Sequence, residues 1–261
     1  MRILKAIGIF LALLLSLPVL VLVYMGFFVF NSPQAYSSTF LEGVLLTVTS
    51  SATAVAVDFA LFTPLSYYLS RNRDLIADSL ADVPASIPHP IVGVALVFLD
   101  SPYTPIGDFL RSLGINFFDT YLGLTSALVV VSAPIYIKSL KSFFDSLPRS
   151  YENYARSLGA GELRTFLAVV LPMSYKGIVT SLLVAMSRAM SEFGSIAIIA
   201  YYVLGGPFNG VTPAPIQIYE YFGYYGPGVA VTASAIMIVI GLAVLATVRV
   251  VQYKLGGAAG I

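Results

Sequence analysis

A chain of 261 residues that is 58% apolar and 10% charged, with a mean hydropathy of +0.88, carries more hydrophobic surface than a soluble domain of this size buries. A net charge of +1 with no extended basic cluster excludes a nucleic-acid binder. The absence of cysteine removes disulfides, thiolate metal sites, iron–sulfur clusters and a cysteine nucleophile, and a single histidine excludes a multi-histidine metal site.

Six apolar runs stand near the ~20 residues that cross ~30 Å of hydrocarbon as helix. They lie at 7–30, 43–69, 83–99, 121–137, 173–203 and 228–250. None alternates as a barrel strand does, so the fold class is an all-α integral membrane protein with six transmembrane helices, one domain over 1–261. The first run follows Arg2 and Lys5, as a signal peptide does. Its length exceeds the roughly 7–15 residues of an h-region and no clean small-x-small site follows near Ala35, so it reads as a retained span. Asp58 in the second run is expected to be buried against another helix or capped by a hydroxyl. The third run is short and contains Pro84, Pro88 and Pro90, each removing a backbone donor. It reads either as a span broken at its inner end that lines an interior surface, or as an interfacial loop before a short span. His89, among these prolines, reads as a packing or hydrogen-bonding residue.

The basic residues set the orientation. With the N-terminus inside, Arg2, Lys5, Arg71, Arg73, the group from Lys138 to Arg164, Arg249 and Lys254 share the cytoplasmic side, leaving Arg111 outside. Both termini are then cytoplasmic, and 31–42, 100–120 and 204–227 are external.

The inner loop 138–172 has interspersed charge and is expected to form surface helices. Ser146 and Pro148 offer a helix start and Gly159 a stop, while Tyr151, Tyr154, Ala155 and Leu158 recur at helical spacing. By periodicity alone this face fits a bilayer surface. The segment Tyr151-Glu152-Asn153-Tyr154-Ala155-Arg156-Ser157-Leu158-Gly159, followed by Val169, Leu171 and Pro172, resembles the "EAA" signature of ABC importer permeases. Aligned on Gly159, the motif glutamate falls on Asn153, with Glu152 one residue early, and its first alanine falls on Tyr154. The resemblance implies that 149–162 is a coupling helix docking into a separate ATP-hydrolysing subunit.

The fifth run contains Ser187, Arg188, Ser191, Glu192 and Ser195, about 18 Å along the helix from Lys176 at 1.5 Å per residue. Charge near mid-membrane costs roughly 2.5–3.5 kcal/mol, so Arg188 and Glu192, four apart, are expected to pair. The three serines, also four apart, put small residues on one helical face, suited to close helix packing or a pathway. The stretch Arg188-Ala-x-x-Glu192-Phe-Gly194 is similar to permeases for sulfate, molybdate and tungstate. Ile87–Gly93 and Thr212–Tyr219 resemble further segments of that group. The resemblance implies import of an oxyanion, molybdate or tungstate first and sulfate next. It also implies a homodimer, two ATP-binding cassette subunits that hold ATP and Mg2+, and an external oxyanion-binding protein, with no cofactor in this chain.

The chain has no Gly-x-x-x-x-Gly-Lys-Ser/Thr phosphate loop, so ATP must bind a partner. An importer permease for another small solute is the alternative within the family. An ion-coupled secondary transporter would need matching broken helices in two halves, and a serine protease would need a nucleophile turn; neither pattern is present.

Overall fold

The computed structural model describes residues 2–256. Met1, residues 257–261 and the side chains of Arg2, Arg249 and Lys254, which enter the domain and orientation expectations, lie outside the described residues. Among those described, the backbone is almost wholly helical, with one isolated antiparallel bridge between Val203 and Val211. Four helices are long and apolar enough to cross a membrane, and two bent pairs raise the number to six if each pair is one span.

Helix α1 (Arg2–Tyr24) runs into a π-helical turn, Met25–Phe30, that ends on Asn31 in the left-handed region at φ 39°. A Cβ at Gly26 would lie 2.5 Å from that of Ala235, so glycine lets this turn seat on α13 (Pro227–Gly256). Helix α2 (Ser38–Arg71) is capped by Ser37, whose Oγ accepts from the Phe40 amide. With α6 (Tyr121–Ser146) and α10 (Tyr175–Met190) it forms the central bundle. Hydroxyl links cross it: Thr53 with Tyr121 at 2.9 Å, Thr63 with Tyr136 at 2.7 Å and Ser181 to Ser139 at 2.8 Å. Asp58, fully buried, faces the Ser132 hydroxyl at 2.6 Å. Polar groups thus find partners across helices where lipid offers none.

Helix is interrupted within the third apolar run. Helix α3 (Leu75–Ser86) and α4 (His89–Leu99) meet at 104°, with Ile87 extended and Pro88 at the start of α4. Proline disfavours helix at the residue before it, and Ile87 stands there. Asp78 and Asp82 of α3 bind Lys141 at 2.7 Å and Lys138 at 2.9 Å, holding α3 along α6. Helix α6 continues past Ile137 and Lys138 to Ser146, so the first part of the inner segment 138–172 is helix, with Lys141 and the exposed Lys138 paired to α3. Ser146 closes α6, its hydroxyl bonding back to Phe143 at 2.6 Å, and so does not start the next helix.

Helix α5 (Pro105–Ser112) lies beyond α4, and α7 (Ser150–Ser157) follows α6. Next come α8 (Glu162–Thr165), a π-helical turn over Phe166–Val170 and α9 (Leu171–Met173). The pair Glu162–Met173 and Tyr175–Met190 bends by 75°. The expected fifth helix over 173–203 is also corrected at its far end. Helix α10 stops at Met190, and after a turn only α11 (Ile196–Ile199) remains, before α12 (Ala214–Tyr224). The Glu192 carboxylate draws in the Ser195 amide and hydroxyl, which turns the chain.

Candidate functional site

Two polar centres stand out from the apolar bundle. The first is α7, beside the last turns of α2 and α6. Its stop is built as expected. Gly159 adopts φ +85°, its amide bonds Arg156 O at 2.9 Å and the Ala160 amide bonds Ala155 O at 3.0 Å, the two bonds of a Schellman motif. Tyr151, Asn153, Tyr154, Arg156, Ser157, Leu158 and Gly159 are exposed and Ala155 is half-buried. Tyr154 is 68% and Leu158 89% exposed, so the aromatic and apolar stripe read from the sequence faces away from the protein.

Glu152 points the other way and is buried. The Arg71 guanidinium donates to Glu152 Oε1 from Nε at 2.9 Å and Nη2 at 2.7 Å, and Tyr67 donates to Oε2 at 2.8 Å. Arg71 Nη1 also reaches the Phe144 carbonyl at 2.8 Å. The Tyr67 ring packs on Phe144 and Phe166, at centroid separations of 5.5 and 5.0 Å. Burial by itself pushes the Glu152 carboxyl up, but the Arg71 and Tyr67 hydrogen bonds and the nearby Arg71 and Arg156 charges hold it below the usual value. The stabilisation from this pair is therefore fully present above the ordinary carboxylate pKa, about 4.3. It is lost only as pH falls through the lower folded value. A cleft of about 490 Å³ opens beside the pair, lined in part by Tyr68, Arg149, Asn153 and Glu162.

The second centre joins the two bent helix pairs. Arg188 Nη2 donates to Glu192 Oε2 at 2.8 Å, and Glu192 is 1% exposed. His89, at the start of α4, places Nδ1 3.1 Å from the same oxygen and both ring nitrogens within 2.9 Å of Arg188 Nη2. Glu192 Oε1 takes the Ser195 amide at 2.8 Å and hydroxyl at 2.9 Å. Ser191 is exposed and Ser187 half-buried, whereas Ser195 is wholly buried beyond the helix end, so the three serines do not share one helical face.

Gly93 lets α4 approach this turn: a Cβ there would lie 2.5 Å from the Ser195 carbonyl oxygen. Gly93→Ala is expected to cost about 1–3 kcal/mol by overpacking, seen as a lower melting temperature in detergent; an unchanged melting temperature would mean that the two segments are free to separate.

Tyr67, Arg71 and His89 were not among the site residues expected from sequence. Arg71 entered only as an orientation charge, and a lone histidine beside prolines carries no partner signal when that partner lies 99 positions away. Among the described residues no three His, Cys, Asp or Glu side chains are placed to hold a metal ion.

Residues 56–256 match the family model described as binding-protein-dependent transport system inner membrane component. A molybdate/tungstate transport system permease protein of Pyrococcus abyssi is 32% identical over 203 residues, covering 76% of this chain and 73% of that protein. A probable sulfate transport system permease protein of Nephroselmis olivacea is 29% identical over 235 residues, covering 85% and 81%. Of solved structures, a bacterial alginate ABC transporter chain superposes with a TM-score of 0.68 at 16% identity, covering 97% of this chain and 93% of its own. A chain of the inward-facing methionine ABC transporter gives 0.60 at 17%, covering 85% and 98%. At these identities the two structures speak for the fold alone.

Proposed function

We propose, on the premise that this chain belongs to the binding-protein-dependent transport system inner membrane components, the permeases of ABC importers, that its cargo is a tetrahedral oxyanion, with molybdate or tungstate ahead of sulfate. The observation that carries the cargo reading is the similarity to the Pyrococcus abyssi molybdate/tungstate permease over three quarters of the chain. Helix α7 is the coupling helix, and its exposed Tyr151, Tyr154 and Leu158 are the face offered to the ATPase subunit. The permease is not itself an enzyme; ATP and Mg2+ belong to two partner ATPase subunits. Two copies of the chain form the pathway, and an external binding protein delivers the anion. The protein sits in the cell inner membrane with both termini cytoplasmic. Closed ATPases favour one opening of the pathway, and hydrolysis permits the other.

The interior offers hydroxyls, and the central Arg188 guanidinium is already held by Glu192, so the membrane part binds cargo weakly. Calorimetric titration of the permease alone is expected to give a dissociation constant no tighter than about 0.1 mM for molybdate, tungstate or sulfate. In vesicles carrying the whole transporter, labelled molybdate uptake is expected to be competed by tungstate before sulfate. Micromolar binding to the bare permease would refute the weak-site reading, and failure of both tungstate and sulfate to compete, or no uptake of any of the three, would refute the cargo reading.

A further inference from the structure

We propose that Glu152 is a positioning residue which carries the movement of α7 into the membrane helices through its buried grip on Arg71 and Tyr67, and that it makes no contact with the ATPase. The inference rests on the reading of α7 as the coupling helix. Glu152 is the buried residue of α7, with 7% of its side chain exposed and both oxygens occupied from within the chain. A carboxylate so placed offers nothing to a subunit outside, whereas Asn153 beside it is exposed.

What Glu152 does touch is a junction. One guanidinium, on the last residue of α2, binds α7 through Glu152 and α6 through the Phe144 carbonyl. Tyr67 adds a second hydrogen bond to Glu152 while its ring wedges between Phe144 and Phe166. The chain on either side of α7, at 147–149 and 158–161, is not helical and would absorb a displacement. The ion pair bypasses those loops. Helix α2 then runs from Arg71 to Ser38 with Pro64 inside it, about 51 Å at 1.5 Å per residue. Near its other end it holds the α12 segment, where the Ala214 amide donates to Thr47 Oγ1 at 2.9 Å and Gln217 Nε2 to the Thr39 carbonyl at 3.2 Å. Pushing or rotating α7 therefore moves the end of a helix that reaches the opposite end of the molecule.

The test separates docking from transmission. The chain is assembled with its ATPase and binding protein, and two quantities are read for each variant: affinity for the ATPase, and molybdate moved per ATP hydrolysed. Glu152→Gln is expected to bind the ATPase within about twofold of the parent yet to move at least about tenfold fewer anions per ATP. Tyr67→Phe, which removes one hydroxyl, is expected to shift the same ratio about threefold. Tyr154→Ala, on the exposed face, is expected to do the reverse, weakening association and sparing the ratio of the complexes that form. The proposal is overturned if Glu152→Gln weakens ATPase binding about tenfold while keeping the ratio, or changes neither quantity. Should Glu152→Gln fail to give a monodisperse protein, Tyr67→Phe decides by the same two readouts. A parent chain that binds no ATPase defeats the coupling reading and the latch together. A parent that binds and hydrolyses but moves no oxyanion defeats the cargo reading alone. The latch is then read from a fluorophore on Tyr103→Cys, exposed at the opposite end of a chain with no other cysteine. Its response to ATP and vanadate is expected in the parent and absent in Glu152→Gln; equal responses overturn the proposal.

Discussion

Arg188→Ala is expected to cost about 3 kcal/mol of stability, the lower end of the range for removing one partner of a buried ion pair. Glu192 is the reason: its carboxylate is 1% exposed, and without Arg188 it keeps the Ser195 amide and hydroxyl and the His89 ring but no permanent positive charge. The lower end applies because the Arg188 side chain is itself 21% exposed, so the pair is not wholly enclosed by protein. A loss of this size is a large share of a typical 5–15 kcal/mol total, so the variant is expected to reach the membrane in much reduced amount. Size-exclusion profiles and melting temperatures in detergent measure it. Removing both charges in Arg188→Ala/Glu192→Gln is expected to recover most of the loss, because no carboxylate is then left buried and unpaired. A double variant as unstable as the single one would show that the cost comes from packing around Arg188 and not from charge.

Gly159→Pro is expected to abolish transport while the rest of the chain folds. The glycine holds φ +85°, a value proline cannot take, and its amide bonds the Arg156 carbonyl. Proline would also drive Leu158 out of its observed conformation at φ −86°, ψ 7°. The end of α7 and the direction of the exposed Leu158 are then lost, and a misplacement of about 1 Å is enough to cost about a hundredfold in a positioned system. Gly159→Ala is the informative companion. A Cβ at this position meets nothing within 4 Å, so only the left-handed backbone penalty of about 1–2 kcal/mol remains, and uptake is expected to fall a few-fold. Equal effects of alanine and proline would mean that the backbone turn is not what matters at Gly159.

The apolar runs were enough to place α1, α2 and α13, because lipid exposure demands long uninterrupted hydrophobic stretches and these helices have them. Pro88 was enough to announce the break before α4, since its effect on Ile87 is local. The ends of α6 and α10 were not legible from the apolar runs. Helix α6 continues to Ser146, with Asp78 and Asp82 paired to its lysines, and α10 stops at Met190, where Glu192 takes the neighbouring Ser195 amide and the distant His89 ring. The exposed stripe of α7 was legible from spacing, as was the pairing of Arg188 with Glu192 four residues on. The inward turn of Glu152 was not, because it depends on an arginine 81 positions away that no periodicity links to it.

The most direct test of the account is ATP-dependent uptake into membrane vesicles containing this chain, its ATPase subunit and an external oxyanion-binding protein. Labelled molybdate, tungstate and sulfate would be offered in parallel, and the ATPase retained on the purified chain measured from the same preparation. The account predicts that the ATPase is retained, that uptake of molybdate and tungstate requires ATP, and that Gly159→Pro eliminates it. A chain that retains no ATPase and moves none of the three anions would contradict it.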